Sequence, residues 1–185
     1  ELIHTDLPCH HTVDIFPNVG FKTTTYSDKE AYNGKSTLKA GKSDDGINVS
    51  YILKKKYEWP FAGLRLQPQD PINLRMHDYM EINVTVTEEQ SVTVAFWTAL
   101  GGVKTDINDA QPHFYSMTLY PYKSAYKIPI PSFRIPDWWL NEYKVGLNEL
   151  PSNLLEKVVA VGFQTNNTEE VDVEHKFTVK SMRAL

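Results

Sequence analysis

Cysteine is almost missing from this chain of 185 residues, which contains a single one, Cys9. One cysteine cannot form an internal disulfide, so the sequence is not that of a small disulfide scaffold. His10 and His11 follow it, yet three adjacent side chains do not readily close on one metal ion, and no second ligand pair follows at zinc-finger spacing. The cysteine therefore predicts neither a cross-linked fold nor a metal centre.

An excess of positive charge is also missing. The chain has 19 Lys and Arg against 23 Asp and Glu, a net charge of −4 and a pI of about 5.9. The one basic run, at residues 54–56, is short. Domains that bind nucleic acid carry a basic stripe or patch, so this balance predicts that the chain does not bind nucleic acid.

Neither a membrane-spanning run nor a leader pattern is present. No apolar run reaches 18 residues, and no basic region followed by an apolar one opens the chain, which begins at Glu1. We expect the sequence to be part of a longer protein, with any signal peptide or membrane anchor outside it. With 41% apolar and 23% charged residues, the chain has the composition of one globular domain.

Motifs of the common catalytic sites are missing as well. The sequence has no G-x-S-x-G, H-E-x-x-H, Walker loop or G-x-G-x-x-G. Paired carboxylates of a glycosidase remain conceivable, but the acidic residues fall in turn-like stretches such as Asp44-Asp45 and Glu88-Glu89. We interpret His113 as a rim residue rather than a general base. The sequence therefore predicts a protein that is not an enzyme.

What the sequence does contain is apolar residues at every second position, in short runs separated by Gly, Pro, Asn and Asp. This period is that of half-buried β-strands, while helical patterning is weak outside residues 137–143. We predict an all-β, two-sheet antiparallel sandwich of the jelly-roll kind over residues 26–185, with residues 1–25 as an unplaced extension. The predicted strands are 36–40, 46–54, 62–67, 79–87, 91–100, 114–120, 125–131, 158–166 and 176–183.

The outward faces of these strands carry the candidate ligand-binding residues. Trp97 alternates with Ala95 and Ala99, on the side away from Val94 and Phe96. Arg65 is likewise opposite two leucines. In 158–166 the pattern predicts Val159, Val161 and Phe163 in the core, with Ala160, Gly162, Gln164 and Asn166 outward.

If these strands are neighbours, Trp97, Arg65 and Gln164 line one groove, and the amides of Gln164 and Asn166 can donate and accept hydrogen bonds. Tyr115 has the same strand parity as His113, so we predict that both reach this groove. An alternative is that a loop covers Trp97 and that Arg65 belongs to a surface ion pair.

A structural calcium ion is a further expectation, because jelly-roll binding domains often hold one through carboxylate and backbone oxygens. Asp28 and Glu30 lie just before a predicted strand, and Asp172 precedes the last one. The spacing is not that of an EF-hand loop, so these three residues are a candidate set rather than a motif.

Several segments, in this order, resemble the galactose-binding-like jelly rolls, and most closely the family-11 carbohydrate-binding modules and related bacterial extracytoplasmic sensor domains. The resemblance covers about residues 26 to 185 and rests on GKSTL at 34–38, WPFAGL at 59–64, LRMHDY at 74–79 before the next strand, FRIPDWW at 133–139 and KVVAVGF at 157–163. It implies that a sugar or another small ligand binds on a concave sheet face.

Three functions follow as alternatives. The first is the sensor domain of a bacterial membrane signalling protein that recognises a carbohydrate or other small ligand. The second is a carbohydrate-binding module attached to a glycoside hydrolase, and the third is a protein-interaction domain that uses an exposed Trp97 face. The first two predict a periplasmic or extracellular location, a small-molecule or carbohydrate partner, and attachment to a larger protein.

Overall fold

The computed structural model of the protein describes residues 12–99, 110–150, 154–166 and 170–185. Within these ranges no helix has both the length and the apolar character needed to cross a bilayer. The described strands are β1 (Val13–Phe16), β2 (Phe21–Ser27), β3 (Thr37–Ser43), β4 (Gly46–Ile52), β5 (Ala62–Pro68), β6 (Tyr79–Val86), β7 (Gln90–Thr98), β8 (Gln111–Leu119), β9 (Ala125–Pro129), β10 (Val158–Thr165) and β11 (Glu174–Ala184). The described helices are α1 (Asp28–Tyr32), α2 (Asp137–Tyr143) and the 3-10 turns Ile130–Ser132, Leu147–Glu149 and Leu154–Glu156.

These strands form two sheets, and every strand pairing is antiparallel. Sheet A has the order β3-β4-β11-β6-β9, and sheet B has the order β2-β5-β10-β7-β8. The long strand β11 pairs with β6 along one side, while its other side is shared in series by β4 and β1. The prediction of an all-β, two-sheet jelly-roll sandwich is confirmed.

The main core lies between the inner faces of the two sheets. Phe163 of β10 and Phe177 of β11 come from different sheets, and their ring centroids are 5.6 Å apart. Alternate residues of β6 and β7 are fully buried beside them, among them Ile82 and Phe96. The period-2 pattern in the sequence therefore predicts these core residues, whose removal from water stabilises the sandwich.

The first part of the described chain is structural, although the sequence analysis left residues 1–25 unplaced. β1 pairs with the end of β11, and β2 pairs along its whole length with β5. The alternation of Phe21, Thr23 and Thr25 is too weakly apolar to predict a strand, because β2 lies at the edge of sheet B. The helix α1 was also missed, although Ser27 and Glu30 form a capping box at its start.

One core assignment in β10 was wrong. The register changes between Val158, which is opposite Thr98, and Ala160, which is opposite Trp97. This bulge turns Val159 outward, where it packs with Ala160 and Trp97 instead of entering the main core. Strict alternation cannot show an extra residue of this kind. The predicted orientations of Val161, Phe163 and Gly162 are those found in the structure.

Candidate functional site

The outer face of sheet B brings together three of the predicted site residues. Gly162 of β10 lies opposite Arg65 of β5 on one side and opposite Ala95 of β7 on the other. One row away, Gln164 lies opposite Gly63 and Thr93. Trp97 lies one row away in the other direction, so Arg65, Gln164 and Trp97 share one surface, which we call the Arg65 face.

The guanidinium of Arg65 lies against two aromatic rings. Its Cζ atom is 4.0 Å from the ring centroid of Tyr26 and 4.9 Å from that of Trp97. The two rings meet edge to face, with centroids 6.0 Å apart. Burial lowers the pKa of Arg65, and the nearby Tyr26 acts in the opposite direction. The guanidinium still carries its charge at neutral pH, since arginine loses its proton only far above that range.

Tyr26 reaches this position by lying across Gly63. A Cβ atom on Gly63 would be 2.2 Å from the Tyr26 ring, so only glycine leaves room for it. The Tyr26 hydroxyl then donates a hydrogen bond of 2.8 Å to Oε1 of Gln164. Because the amide oxygen is used in this way, the Nε2 group of Gln164 is left as the donor for other partners. Sequence reasoning missed Tyr26 because β2 was not predicted.

Trp97 is a buried part of the face rather than an exposed platform. Its side chain is 5% exposed, and it packs in a small cluster on the outer side of sheet B. Tyr26 and Phe114 pack against this cluster, whose other members are Ala95, Ala99, Ala110, Val159 and Ala160. Trp97 is covered, as in the alternative made from the sequence, but by Tyr26 and Arg65 rather than by a loop.

Next to the rings lies a strip of hydroxyl groups. Thr93 of β7 is opposite both Gln164 and Ser116, and its Oγ1 is 3.2 Å from the Ser116 hydroxyl. In the next row Ser91 lies opposite Thr118. Ser91 and Ser116 are exposed. Since each hydroxyl can donate and accept, this strip offers hydrogen-bonding groups to a polyhydroxylated ligand.

His113 and Tyr115 do not reach the Arg65 face, contrary to the sequence prediction. Both point to the interior side of β8, where His113 stacks on Phe96 at 5.2 Å and Tyr115 packs against Phe133 at 5.8 Å. His113 Nε2 is 3.1 Å from the hydroxyl of Thr98. Burial lowers the pKa of His113 to about 4, so the ring is neutral at physiological pH. Phe114 and Ser116 are the residues of β8 on the Arg65 face, and the parity assigned to His113 had excluded both.

Asn166 lies at the margin of the face. It follows the last residue of β10 and is exposed. Its amide is therefore accessible to solvent next to the row of Ser91 and Thr118, outside the ladder that fixes the orientation of Gln164.

The carboxylates proposed for calcium are used by the chain itself. Asp28 is fully buried, and its oxygens accept hydrogen bonds from the Ser36 backbone (3.0 Å), the Ser36 hydroxyl (2.8 Å) and the Phe61 backbone (3.3 Å). Glu30 accepts from the backbone of Ser27, and Asp172 lies 3.6 Å from the Lys54 ammonium.

A calcium ion requires six to eight oxygen ligands, whereas Asp28 is surrounded by hydrogen-bond donors. In the four described ranges no group of three or more His, Cys, Asp or Glu is placed to hold a metal ion. Asp28, Glu30 and Asp172 therefore do not fit the expected calcium site. The loop at 100–109, with Asp106 and Asp109, and the segment Cys9–His11 lie outside the described residues.

More aromatic rings continue from the Arg65 face toward the segment before β5. Phe61 lies 6.2 Å from Tyr26, and it meets the stacked pair Tyr32 and Tyr57 edge-on. The ring centroids of this pair are 4.4 Å apart, and Trp59, two residues after Tyr57 in the chain, is 64% exposed. The pKa of Tyr57 is raised, first by burial and then by Tyr32 and the negative charges of Glu58, Asp28 and Glu142.

The outer face of sheet A carries a different surface. It has a shallow hollow of about 530 Å³ between β3, β4 and β11, whose lining residues include Asn48, Lys39 and Lys176. Asn48 is exposed there and accepts a hydrogen bond from Thr178. No aromatic stack is found in this hollow among the described residues, which makes it a useful control surface.

Comparison with known proteins gives structural relatives only. No family model matches the sequence, and no curated protein matches it. A family 11 carbohydrate-binding module from Clostridium thermocellum, solved in complex with a β-1,3-1,4-mixed-linked tetrasaccharide, superposes with a TM-score of 0.59 at 16% identity over 94% of each chain. The family 11 module of cellulosomal cellulase Lic26A-Cel5E from the same organism gives 0.59 at 18% identity, over 95% of this chain and 93% of that one.

A family 30 module of a cellulosomal cellulase from Clostridium thermocellum is similar as well, with a TM-score of 0.58 at 12% identity over 95% of this chain and 97% of that one. In an exo-β-agarase the similar region is 25% of the chain, with a TM-score of 0.50. At these identities the likeness shows the fold, and the resemblance to family-11-type modules found in the sequence is confirmed at that level.

Proposed function

We propose that this chain is a non-catalytic carbohydrate-binding domain and that its ligand lies on the Arg65 face. The observation that carries the proposal is the arrangement on that face: a fixed ring-and-guanidinium stack next to a strip of hydroxyl and amide donors. The solved modules of the same fold support it, since one of them is described in complex with a tetrasaccharide.

The chemistry of this surface suits a sugar. Saccharides have apolar C–H faces as well as hydroxyl groups, and their sites combine aromatic surfaces with a few well-placed polar groups. Tyr26, Arg65 and Gln164 are partly exposed and Ser116 is exposed, so a sugar can contact the aromatic and polar groups of the face from solvent. The Nε2 group of Gln164 and the hydroxyl of Ser116 then donate to sugar oxygens.

The proposal is tested by calorimetry with neutral and acidic oligosaccharides, using Gln164→Ala and a matched control, Asn48→Ala. Gln164→Ala removes one donor of the Arg65 face, and we expect the affinity to fall about two- to tenfold, as for one neutral hydrogen bond. Asn48→Ala removes an exposed amide from the outer face of sheet A and leaves affinity unchanged.

Equal losses in both variants, or the absence of binding to any oligosaccharide, contradict the proposed site. Trp97→Ala is a poor test, because truncating a side chain that is 5% exposed opens a cavity and costs about 3–5 kcal/mol of stability. A loss of binding in that variant would then report on packing.

The protein that carries this domain is a further part of the proposal. The resemblance found in the sequence favours an extracytoplasmic sensor of a bacterial signalling protein, located in the periplasm or outside the cell. The described relatives support the alternative of a module attached to a carbohydrate-active enzyme, since several of them come from cellulases or an agarase. The flanking sequence in the gene decides between them: a transmembrane helix followed by a signalling domain indicates the sensor, and a hydrolase domain indicates the module.

The third alternative, a protein-interaction surface, requires an exposed Trp97, but this side chain is buried. The ring is covered by Arg65 and Tyr26 and takes part in a packed cluster. No exposed tryptophan face is therefore present at this position for a partner protein to contact.

A further inference from the structure

Arg65 is the one arginine of the chain that is not exposed, and no acidic side chain pairs with it among the described residues. Arg75 and Arg183 are exposed, and each lies 2.6 Å from a carboxylate oxygen. Arg65 is partly buried, yet its Nε atom is inaccessible to solvent and has no hydrogen-bond partner among the described residues. The most buried arginine of the described chain therefore lacks a counter-charge, whereas Arg134, which also has no carboxylate partner, is exposed and donates to the Pro131 carbonyl.

The rings around Arg65 offset only part of the cost of this arrangement. A cation over aromatic faces is attracted to them, more so when water is excluded. The N–H groups of a guanidinium nevertheless require acceptors, and a buried charge without acceptors is unfavourable. Among the described residues, Tyr26 is the one side chain whose charge affects the pKa of Arg65. A bound anion would supply the missing counter-charge through the terminal guanidinium nitrogens, which, unlike Nε, are not among the buried atoms that lack a partner.

The composition of the Arg65 face points the same way. Two complete rows cross all five strands of sheet B, and neither contains an acidic residue, although the chain as a whole has 23 of them. One row is Tyr26, Gly63, Gln164, Thr93 and Ser116, and the other is Thr24, Arg65, Gly162, Ala95 and Phe114. Lys22 adds a second positive charge in the next row. This face is thus locally positive in a protein whose net charge is −4.

We propose that the saccharide bound on the Arg65 face is anionic and that its carboxylate or sulfate group pairs with the Arg65 guanidinium. This inference rests on the proposed function and specifies its ligand class. A guanidinium presents parallel N–H donors that match the oxygens of either group. The Nε2 group of Gln164 and the hydroxyl of Ser116, in the adjacent row, hydrogen-bond the neutral part of the same ligand.

Calorimetry on matched pairs of oligosaccharides tests the inference. An oligogalacturonate represents the carboxylate, a sulfated galactan oligosaccharide represents the sulfate ester, and mixed-linkage β-glucan and agaro-oligosaccharides are the neutral ligands. We expect at least one acidic ligand to bind about tenfold or more tightly than the neutral ones. Its affinity falls as salt is raised from low to physiological concentration, whereas that of a neutral ligand does not.

Two substitutions locate the charge that matters. Arg65→Met keeps a long side chain between the rings and removes the charge, and we expect the preference for acidic ligands to disappear. Lys39→Met removes one exposed positive charge from the outer face of sheet A and is the matched control, which keeps that preference. Arg65→Lys is the second variant in case Arg65→Met folds poorly. It keeps the charge without the parallel donors, and we expect an intermediate affinity.

The outcomes separate the inference from the proposed function. If neutral oligosaccharides bind and acidic ones do not, the anionic ligand class is wrong while the carbohydrate site stands. If acidic ligands bind equally well to Arg65→Met, the charge that recognises them is elsewhere and the inference is wrong. If no saccharide binds, both proposals fail.

Discussion

At the scale of single residues, the candidate site depends on a glycine. Gly63 carries no functional group, yet its missing side chain allows Tyr26 to cross β5 and reach both Arg65 and Gln164. The cation, the ring and the amide are therefore placed by a residue that no search for chemical groups would select.

Substituting Gly63 by alanine tests this dependence. The new Cβ atom would overlap the Tyr26 ring at 2.2 Å, so we expect Gly63→Ala to displace Tyr26 and destabilise the protein by about 1–3 kcal/mol. Gly41→Ala is the control, because a Cβ atom there meets nothing within 4 Å. Denaturant unfolding measures both free energies, and equal values for the two variants would show that Tyr26 does not depend on Gly63.

At the scale of secondary-structure elements, Asp28 joins three segments. It is the first residue of α1, and its carboxylate holds the backbone of Ser36 just before β3 and that of Phe61 just before β5. The same carboxylate leaves room for no side chain at Gly34, where a Cβ atom would be 2.2 Å from Oδ1. The geometry of this corner is fixed by hydrogen bonds to a buried charge.

Removing the Asp28 carboxylate is therefore expected to lower the stability of the protein strongly, whether or not calcium is present. We expect Asp28→Ala to cost about 3 kcal/mol, because several buried donors lose their acceptor. The loss is the same in calcium and in a chelator when followed by thermal unfolding. Asp172→Asn, at an exposed residue, changes stability by about 0.5 kcal/mol or less. A loss for Asp28→Ala that occurs only in calcium would restore the metal interpretation of this residue.

The elements also show how far the sequence predicts this protein. The strands with one apolar face, such as β6 and β7, were predicted closely, and with them the outward position of Trp97. In β8 the prediction placed His113 and Tyr115 on the outer face, whereas in the structure they face the interior. The error arose because His113 is a polar residue, yet it stacks on Phe96 in the core. The bulge in β10 and the polar edge strand β2 leave no apolar period to detect. Because Tyr26 lies on β2, its contact with Arg65 could not be predicted without that strand.

At the scale of the whole molecule, His113 links stability to pH. Its pKa is lowered from 6.5 to about 4 by burial in the folded protein, so the unfolded chain binds a proton first as the pH falls. Stability is therefore unaffected by this group above pH 6.5, decreases between pH 6.5 and 4, and changes no further below that. The full effect is about 3 kcal/mol, by the usual conversion of pKa differences into free energy.

Comparing the wild type with His113→Gln isolates this contribution from the carboxylates, which titrate in the same region. The unfolding free energies of both proteins are measured in denaturant at a series of pH values. We expect the wild-type value minus the His113→Gln value to decrease as the pH falls from 6.5 to 4, because only the wild type has the buried histidine. A difference that stays constant over this range would mean that His113 is not protonated more readily in the unfolded chain.

The position of β11 in sheet A has a consequence for biosynthesis. The two flanks of that sheet, β3-β4 and β6-β9, are joined through β11, and the described strands of one flank do not pair with those of the other. A ribosome makes the strands of both flanks before it makes β11, so their apolar residues stay exposed to water until β11 can pair with them. Closure of the sandwich is then a late event that depends on contacts between residues far apart in the chain, which makes folding slow. During that interval the nascent chain exposes apolar strands, which is the kind of surface that chaperones bind.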